Sequence, residues 1–216
     1  MSCPKDQEKN RDISDLKAKA LEKLLKAGFK NQGIKKQRED KPAILSRAQR
    51  RLWFLEQLTP GNISYNMPFA VKFKGNLNIE ILKKSIKVLL DRHETLRTIF
   101  PLVNGEPVQF VQQEYSNELE EIEVEGLNKN EKNLNASKIM QEESLKAFNI
   151  DKGPLIKFIL LKIEKDENIL FINMHHIISD GWSCGVFIRE FEAIYKSIRN
   201  DDKFNLKPLP IQYRDY

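Results

Sequence analysis

Residues 168–199 constrain the possible fold more than any other part of the chain. The first seven, 168–174, are apolar enough for a buried β-strand, and residues 183–199 have the apolar spacing of a helix. Two adjacent histidines, His175 and His176, lie between them and are followed by an Asp-Gly pair. The histidines are therefore predicted to lie where a strand runs out into a loop, so that a rigid scaffold holds an imidazole at a cleft.

A histidine in such a loop has three interpretations. As a general base it would take a proton from an attacking nucleophile, which is typically worth about 10²–10⁴-fold in rate. It could equally be structural and bond to neighbouring carbonyl groups. A metal site needs more nitrogen or sulfur ligands, and the sequence offers only His93 and two cysteines, with no CxxC or HxxxH spacing. We therefore predict no metal site.

Four short stretches resemble the core motifs of one enzyme family. Residues 46–55, SRAQRRLWFL, resemble the motif SxAQxRLWFL, and residues 92–98, RHETLRT, resemble RHExLRT. Residues 175–181 match the signature HHxxxDG, and residues 213–216, YRDY, are similar to the start of YxDYA. In this order the motifs resemble those of condensation domains in nonribosomal peptide synthetases, which are acyltransferases of the chloramphenicol acetyltransferase-like family.

The resemblance implies a fold class and a division of the chain. The expected class is α/β (mixed α+β), a chloramphenicol acetyltransferase-like N-terminal lobe in which helices flank a mixed sheet. Complete condensation domains have two similar lobes around a tunnel. Because the chain stops inside the fourth motif, we expect residues 42–216 to be the N-terminal lobe alone. Residues 1–41 are expected to be a basic helix and linker, with apolar positions at helical spacing from Ile13 to a stop at Gly28.

The resemblance also implies a reaction. A donor acyl or peptidyl thioester on one carrier protein is attacked by the amine of an aminoacyl group on another, which forms an amide. The phosphopantetheine arms belong to the donor and acceptor carrier domains, so no cofactor of the domain's own is expected. Further partners implied are a C-terminal lobe and other synthetase modules. We expect the fragment to be inactive by itself.

Site residues follow from the same resemblance. His176 is the catalytic candidate, either as a base or mainly by positioning the amine. Asp180 is expected to pair with Arg97, with Arg92 as second choice. Gly181 is expected to permit close backbone approach or a positive φ, and its amide to help hold an oxyanion.

The supporting residues are expected to act on the loop itself. His175 would hold the loop by hydrogen bonding. Ser179 would either contact the thioester or cap the loop. His93 is interpreted as structural.

Two other functions share these motifs. An epimerization domain has the same His-His-Asp signature but abstracts a proton from an α-carbon. A catalytically silent lobe would only bind carriers. The SRAQ and RLWFL letters of the first motif favour condensation.

Charge and composition exclude other classes of partner. The net charge of +5 lies within residues 1–41, because positive and negative residues are equal in number over 42–216. In this segment the basic residues are interleaved with acidic ones and no arginines are clustered, so nucleic-acid binding is not predicted. No apolar run approaches the roughly 20 residues that span a bilayer, so no membrane contact is predicted. Two distant cysteines, Cys3 and Cys184, suit a cytoplasmic location.

Apolar periodicity predicts the elements of the body. Helices are predicted over 46–58, 78–93, 133–148 and 183–199, and strands over 67–74, 95–102, 107–111, 118–125, 155–163 and 169–174. Asn104-Gly105 predicts a hairpin turn. Glu118 to Glu125 reads as an edge strand because it is acidic.

Overall fold

The elements of the body alternate along the chain much as the periodicity predicts. The computed structural model describes residues 34, 36, 41–116, 118–202 and 206–216. The strands are β1 (Ala43–Ile44), β2 (Asn66–Lys74), β3 (Thr98–Ile99), β4 (Leu102–Val103), β5 (Glu106–Val111), β6 (Leu119–Glu123), β7 (Ile156–Glu164) and β8 (Glu167–His175). The helices are α1 (Arg47–Leu58), α2 (Ile79–Arg92), α3 (Lys129–Ser144) and α4 (Gly181–Arg199), and 3₁₀ turns lie at Ile63–Tyr65, Glu94–Arg97 and Tyr213–Asp215. The helix predicted between Ile13 and Gly28 lies outside the described residues.

A four-stranded sheet in the order β2-β8-β7-β6 forms the centre. The predicted strands over 155–163 and 169–174 correspond to β7 and β8, which pair as an antiparallel hairpin, and β2 pairs antiparallel on the other side of β8. The acidic strand β6 lies at the edge, as predicted, and pairs parallel to β7. The sheet is therefore mixed, as the fold class required.

Both faces of the two central strands are covered, which explains their near-continuous apolar sequence. Even-numbered residues such as Leu160 and Ile172 pack into a core with α2 and α4. Odd-numbered residues such as Leu161 and Phe171 pack into a second core with α3. Because side chains alternate across a strand, one strand serves both cores. The predicted mixed sheet flanked by helices is confirmed.

A second, smaller sheet joins α1 to the end of α2. Its strand β5 pairs with β1, β3 and β4. The predicted Asn104-Gly105 turn connects β4 to β5, and both residues have positive φ, 54° and 82°, as a two-residue hairpin turn requires. Trp53 of α1 donates from Nε1 to the carbonyl of Phe100 at 3.1 Å, which ties α1 to this sheet.

Two predicted elements have wrong boundaries for local reasons. Residues 95–97 form a 3₁₀ turn rather than a strand. Helix α3 begins and ends four residues earlier than predicted, because Asn128 caps its start by accepting from the Glu131 amide at 3.0 Å. At its end, the Asn66 side chain binds the carbonyls of Ser144 and Lys146 at 2.7 and 2.9 Å. Among the described residues, no helix is long and apolar enough to cross a membrane.

Candidate active site

The two histidines are held where β8 ends. The His175 amide donates to the carbonyl of Leu155 at 2.9 Å on one side, and the His176 amide donates to the carbonyl of Tyr65 at 2.8 Å on the other. The chain then turns, with the Ile178 amide donating to the His175 carbonyl at 3.1 Å. The predicted strand–loop–helix arrangement is thus present, and the backbone of both histidines is fixed.

His175 is buried, with 1% of its surface exposed. Its Nδ1 accepts from the Ile177 amide at 3.1 Å, so the neutral ring carries its proton on Nε2. The rings of Tyr65 and Phe148 pack around it at centroid distances of 6.2 and 6.3 Å. Burial, and to a lesser extent the neighbouring His176, lowers the pKa of His175 to about 4. The ring therefore remains neutral at pH 7 and holds the loop through Ile177.

His176 is exposed and lines a cavity of about 420 Å³. Ser179 and Asp180 line the same cavity, together with Tyr65 and Tyr213. No hydrogen bond of the His176 imidazole to another described residue is found, so its ring is available to a bound molecule. Of the two histidines, only His176 can exchange protons with a ligand in this cavity.

A second cavity of about 390 Å³ adjoins the first. It is mostly apolar, with Met174, Val186 and Phe187 in its wall. The residues that line both cavities are Thr95, Ile178, Ser179, Ser183 and Tyr213. A molecule whose reacting group lies beside His176 thus has an apolar space next to it.

Asp180 is exposed and is the N-cap of α4. Its Oδ1 accepts from the Ser183 amide at 2.8 Å and from the Ser183 hydroxyl at 2.7 Å. These two bonds lower the pKa of the Asp180 carboxyl. A carboxylate in this place is also favoured by the positive end of the helix dipole. Asp180 therefore starts the helix that follows the histidine loop.

The predicted pairing of Asp180 with Arg97 is wrong. The Arg97 Nη1 donates to the Gln112 carbonyl at 2.8 Å instead. A 3₁₀ turn has three residues per turn, so side chains two residues apart point about 120° away from each other. Because Thr95 of this turn faces the histidine loop, Arg97 faces away from it.

The second choice for that pairing is wrong as well. Arg92 binds the carboxylate of Glu190 on α4, from Nε at 2.9 Å and from Nη2 at 3.3 Å. His93 approaches the same carboxylate, with Nε2 2.6 Å from Oε2. This cluster joins α2 to α4.

The positive φ expected as one alternative for Gly181 is also wrong. Gly181 is the first residue of α4, its φ is not positive, and a Cβ there would meet no other part of the described chain within 4 Å. Its conformation is available to any residue. What distinguishes it is its place in the first turn of a helix, where amide groups lack intrahelical acceptors.

Two other kinds of chemistry, a thiol nucleophile and a bound metal ion, are not supported by the described residues. Burial, and then the charge of Asp180, raise the pKa of the Cys184 thiol, which disfavours a thiolate nucleophile. Within the described ranges, no three His, Cys, Asp or Glu residues are grouped to hold a metal ion.

Comparison with known proteins identifies the family. The sequence profile named Condensation domain matches residues 39–216. The chain belongs to the condensation-domain family. The resemblance predicted from the four motifs is confirmed.

Curated relatives of this condensation-domain chain are peptide synthetases. A linear gramicidin synthase of Brevibacillus parabrevis is 37% identical over 172 residues, 80% of this chain and 2% of that protein. Bacitracin synthase 2 of Bacillus licheniformis is 38% identical over 172 residues, 80% of this chain and 6% of that protein. The chain therefore spans a small fraction of the relatives that it matches.

Solved structures share the condensation-domain fold at lower identity. The starter condensation domain of rhizomide synthetase RzmA has a TM-score of 0.73 at 19% identity, over 79% of this chain and 41% of that one. The complex of the X-domain and OxyB from teicoplanin biosynthesis gives 0.75 at 21% identity, over 87% and 40%. These likenesses concern the fold.

Residues of all four motifs line the cavity beside His176, and this adds residues that sequence reasoning missed. Gln49 of the first motif and Thr95 of the second donate to the loop carbonyls of Ile177 and Ile178, at 3.4 and 3.0 Å. From the fourth motif, the Tyr213 hydroxyl lies 3.1 Å from that of Ser46. The missed signal was a glutamine on the inner side of an amphipathic helix, since a buried amide must have hydrogen-bond partners.

Proposed function

We propose that this chain supplies the histidine-bearing half of a site that forms an amide between two carrier-bound substrates. The observation that carries the proposal is the contrast between the two histidines. His175 is buried, neutral and bonded to the loop, whereas His176 is exposed and lines a cavity of about 420 Å³. A second lobe, supplied by further sequence, would complete the site.

In the proposed reaction, the amine nitrogen of the acceptor attacks the carbonyl carbon of the donor thioester. The carbon–nitrogen bond forms and the carbon–sulfur bond breaks. One proton leaves the nitrogen and one reaches the departing sulfur, so the donor carrier is released as a thiol. His176 either takes the proton from nitrogen or accepts a hydrogen bond that orients the amine.

The residues around His176 have supporting roles in this proposal. Asp180 caps α4 and so fixes the far end of the loop, a structural rather than a chemical role. The Gly181 amide, in the first turn of α4, is the candidate donor to an oxyanion. Ser179 lines both cavities and would lie beside the thioester. The function of Arg97 is to hold the end of β5, by its bond to Gln112.

Carrier domains are the proposed partners, and their phosphopantetheine arms would bring the substrates. The chain's own residues would bind and orient the two ends and move the proton. The peptide synthetases among its relatives support this assignment, since a condensation domain there lies within a multi-module protein. A cytoplasmic location and the boundary at residue 41 remain predictions.

The experiment that tests the reaction class uses a two-lobed condensation domain with this chain as its first lobe. It is mixed with one carrier loaded with an acyl-aminoacyl thioester and a second loaded with an aminoacyl thioester. Intact-protein mass spectrometry should show the acceptor carrier gain the donor acyl mass and the donor carrier become a free thiol. Hydrolysis without transfer, inversion of the donor α-carbon without transfer, or binding of the carriers without reaction would overturn the proposal.

A further inference from the structure

The side chain of Gln49 is held in one orientation by three backbone or amide groups. Its Oε1 accepts from the Ser46 amide at 3.0 Å. Only the oxygen of a glutamine side chain, not its nitrogen, can accept a hydrogen bond, so this contact distinguishes the two atoms. Its Nε2 therefore faces the Gln109 Oε1 at 3.1 Å and the Ile177 carbonyl at 3.4 Å. Gln109 is fixed in turn, because its Nε2 donates to the Ile44 carbonyl at 2.7 Å. Both glutamines are buried, with 2% and 4% of their surfaces exposed.

Thr95 holds the next carbonyl of the same loop. Its hydroxyl donates to the Ile178 carbonyl at 3.0 Å from the 3₁₀ turn after α2. Two consecutive carbonyls, directly after His176, are thus held by side chains from two separate segments. The imidazole itself has no hydrogen bond to another described residue, so its position depends on this backbone.

We infer that Gln49 and Thr95 are positioning residues for His176. They fix the peptide groups of Ile177 and Ile178 and so set where the imidazole lies in the cavity. The effect on rate would be large because a shift of about 1 Å in a reacting group can cost on the order of 10²-fold. The inference rests on the proposed function for its kinetic consequence, but its structural part can be tested separately.

The chain offers two matched pairs of variants. Thr95→Val removes the hydroxyl that holds Ile178. Thr98→Val removes a similar hydroxyl, which donates to the Glu94 carbonyl at 2.7 Å and does not contact the loop. Gln49→Met removes the bond to Ile177, whereas Gln109→Met breaks the same glutamine pair and leaves Ile177 bound.

The structural test is nuclear magnetic resonance of the 216-residue chain labelled with ¹³C-histidine. The chain has three histidines, and His176→Ala identifies the His176 signal by its loss. Thr95→Val and Gln49→Met should shift or broaden the His176 ring signal, and Thr98→Val and Gln109→Met should leave it in place. An unmoved signal in Thr95→Val would overturn the inference, even if Gln49→Met does not fold.

The kinetic test measures single-turnover amide formation in the two-lobed domain with both carriers loaded. Thr95→Val should lower the rate about ten-fold at saturating carrier, Thr95→Ser should restore most of it, and Thr98→Val should have less than a two-fold effect, since positioning acts on the chemical step. With His176 replaced by alanine, Thr95→Val should have no further effect, because residues that act as a unit are not additive. Equal losses in Thr95→Val and Thr98→Val, or an undiminished loss in the His176→Ala background, would overturn the inference. A fully active His176→Ala enzyme would instead overturn the proposed function and leave the resonance test to decide the positioning.

Discussion

His175 and His176 differ because the chain leaves the sheet between them. The ring of His175 still points into the packed interior beside Tyr65 and Phe148. The next residue is exposed to the cavity. His175 thus holds the loop as a neutral ring, whereas His176, one residue later, is accessible to a bound molecule. Two predictions belong to this scale.

The first prediction concerns acid stability. Since the pKa of His175 is about 4 in the folded chain and about 6.5 in the unfolded chain, the unfolded chain takes up this proton first as the pH falls. The contribution of the neutral His175 ring to the free energy of unfolding is therefore fully present above pH 6.5. It is lost progressively as the pH falls towards 4. Linkage gives a loss of about 2 kcal/mol at pH 5 from this group.

Urea unfolding at pH 7 and pH 5 measures that loss. In His175→Gln, which cannot take up the proton, the difference between the two pH values should shrink by about this amount. An unchanged difference in His175→Gln would show that another group causes the acid destabilisation.

The second prediction concerns Asp180. Because it is an exposed N-cap, Asp180→Ala should lower the free energy of unfolding by about 0.5–2 kcal/mol, the usual cost of losing a cap. Asp180→Ser keeps a capping oxygen and should recover most of it. A loss of about 3–5 kcal/mol, typical of a broken buried ion pair, would contradict the cap assignment. Thermal or urea unfolding of the three proteins decides this.

At the scale of residues, the sequence predicted that histidines would lie in the loop. It did not predict which side chains would contact that loop. The motif placed His176 at a strand end, and the structure has it there. The Asp180–Arg97 pairing was expected from the family resemblance, and it is wrong because Arg97, in the 3₁₀ turn at Glu94–Arg97, donates to the Gln112 carbonyl instead. Gln49 could have been found from its polar side chain on the core side of α1.

The elements show why periodicity predicts strands and helices better than their ends. The near-continuous apolar sequence of β7 and β8 reports burial on both faces, which is a property of the whole element. Their bounds were predicted to within two residues. The ends of α3, by contrast, depend on single side chains, Asn128 at one end and Asn66 from a distant strand at the other. The cap at Asn128 was visible in the sequence, but the contact from Asn66 was not.

The third prediction tests the two-faced core. Leu160 and Leu161 are adjacent and fully buried, but they belong to cores on opposite faces of the sheet. Each substitution to alanine should lower the free energy of unfolding by about 2–5 kcal/mol. The control is Glu164→Ala, at an exposed position of the same strand, which should stay within about 0.5 kcal/mol. A near-neutral Leu161→Ala in urea unfolding would mean that α3 does not cover its face.

For the molecule as a whole, the fold and the chemistry separate. The body has its own sheet with a core on each face. Its proposed chemistry needs two tethered substrates, and positioning them supplies much of the rate. The fold class and family could be predicted from four short motifs, because their letters and order resemble those of one family. The substrates could not, because no residue pattern in one lobe specifies the cavity that two lobes enclose.

The fourth prediction follows from that separation. The polypeptide of residues 1–216 should unfold cooperatively in urea but should not form dipeptide above background from loaded donor and acceptor carriers. Clear turnover by this polypeptide, followed by mass spectrometry of the acceptor carrier, would show that the loop beside His176 suffices without a second lobe.

The central claim is that His176 carries the chemistry, and one measurement tests it most directly. In the two-lobed domain, the single-turnover rate of dipeptide formation is compared between wild type and His176→Ala, with the melting temperature of each. Because the side chain is exposed and unbonded to the described chain, the melting temperature should not change. The rate should fall by about 10²-fold or more, the range expected for a lost acid–base group. A rate close to that of the wild type in a folded His176→Ala domain would contradict the account.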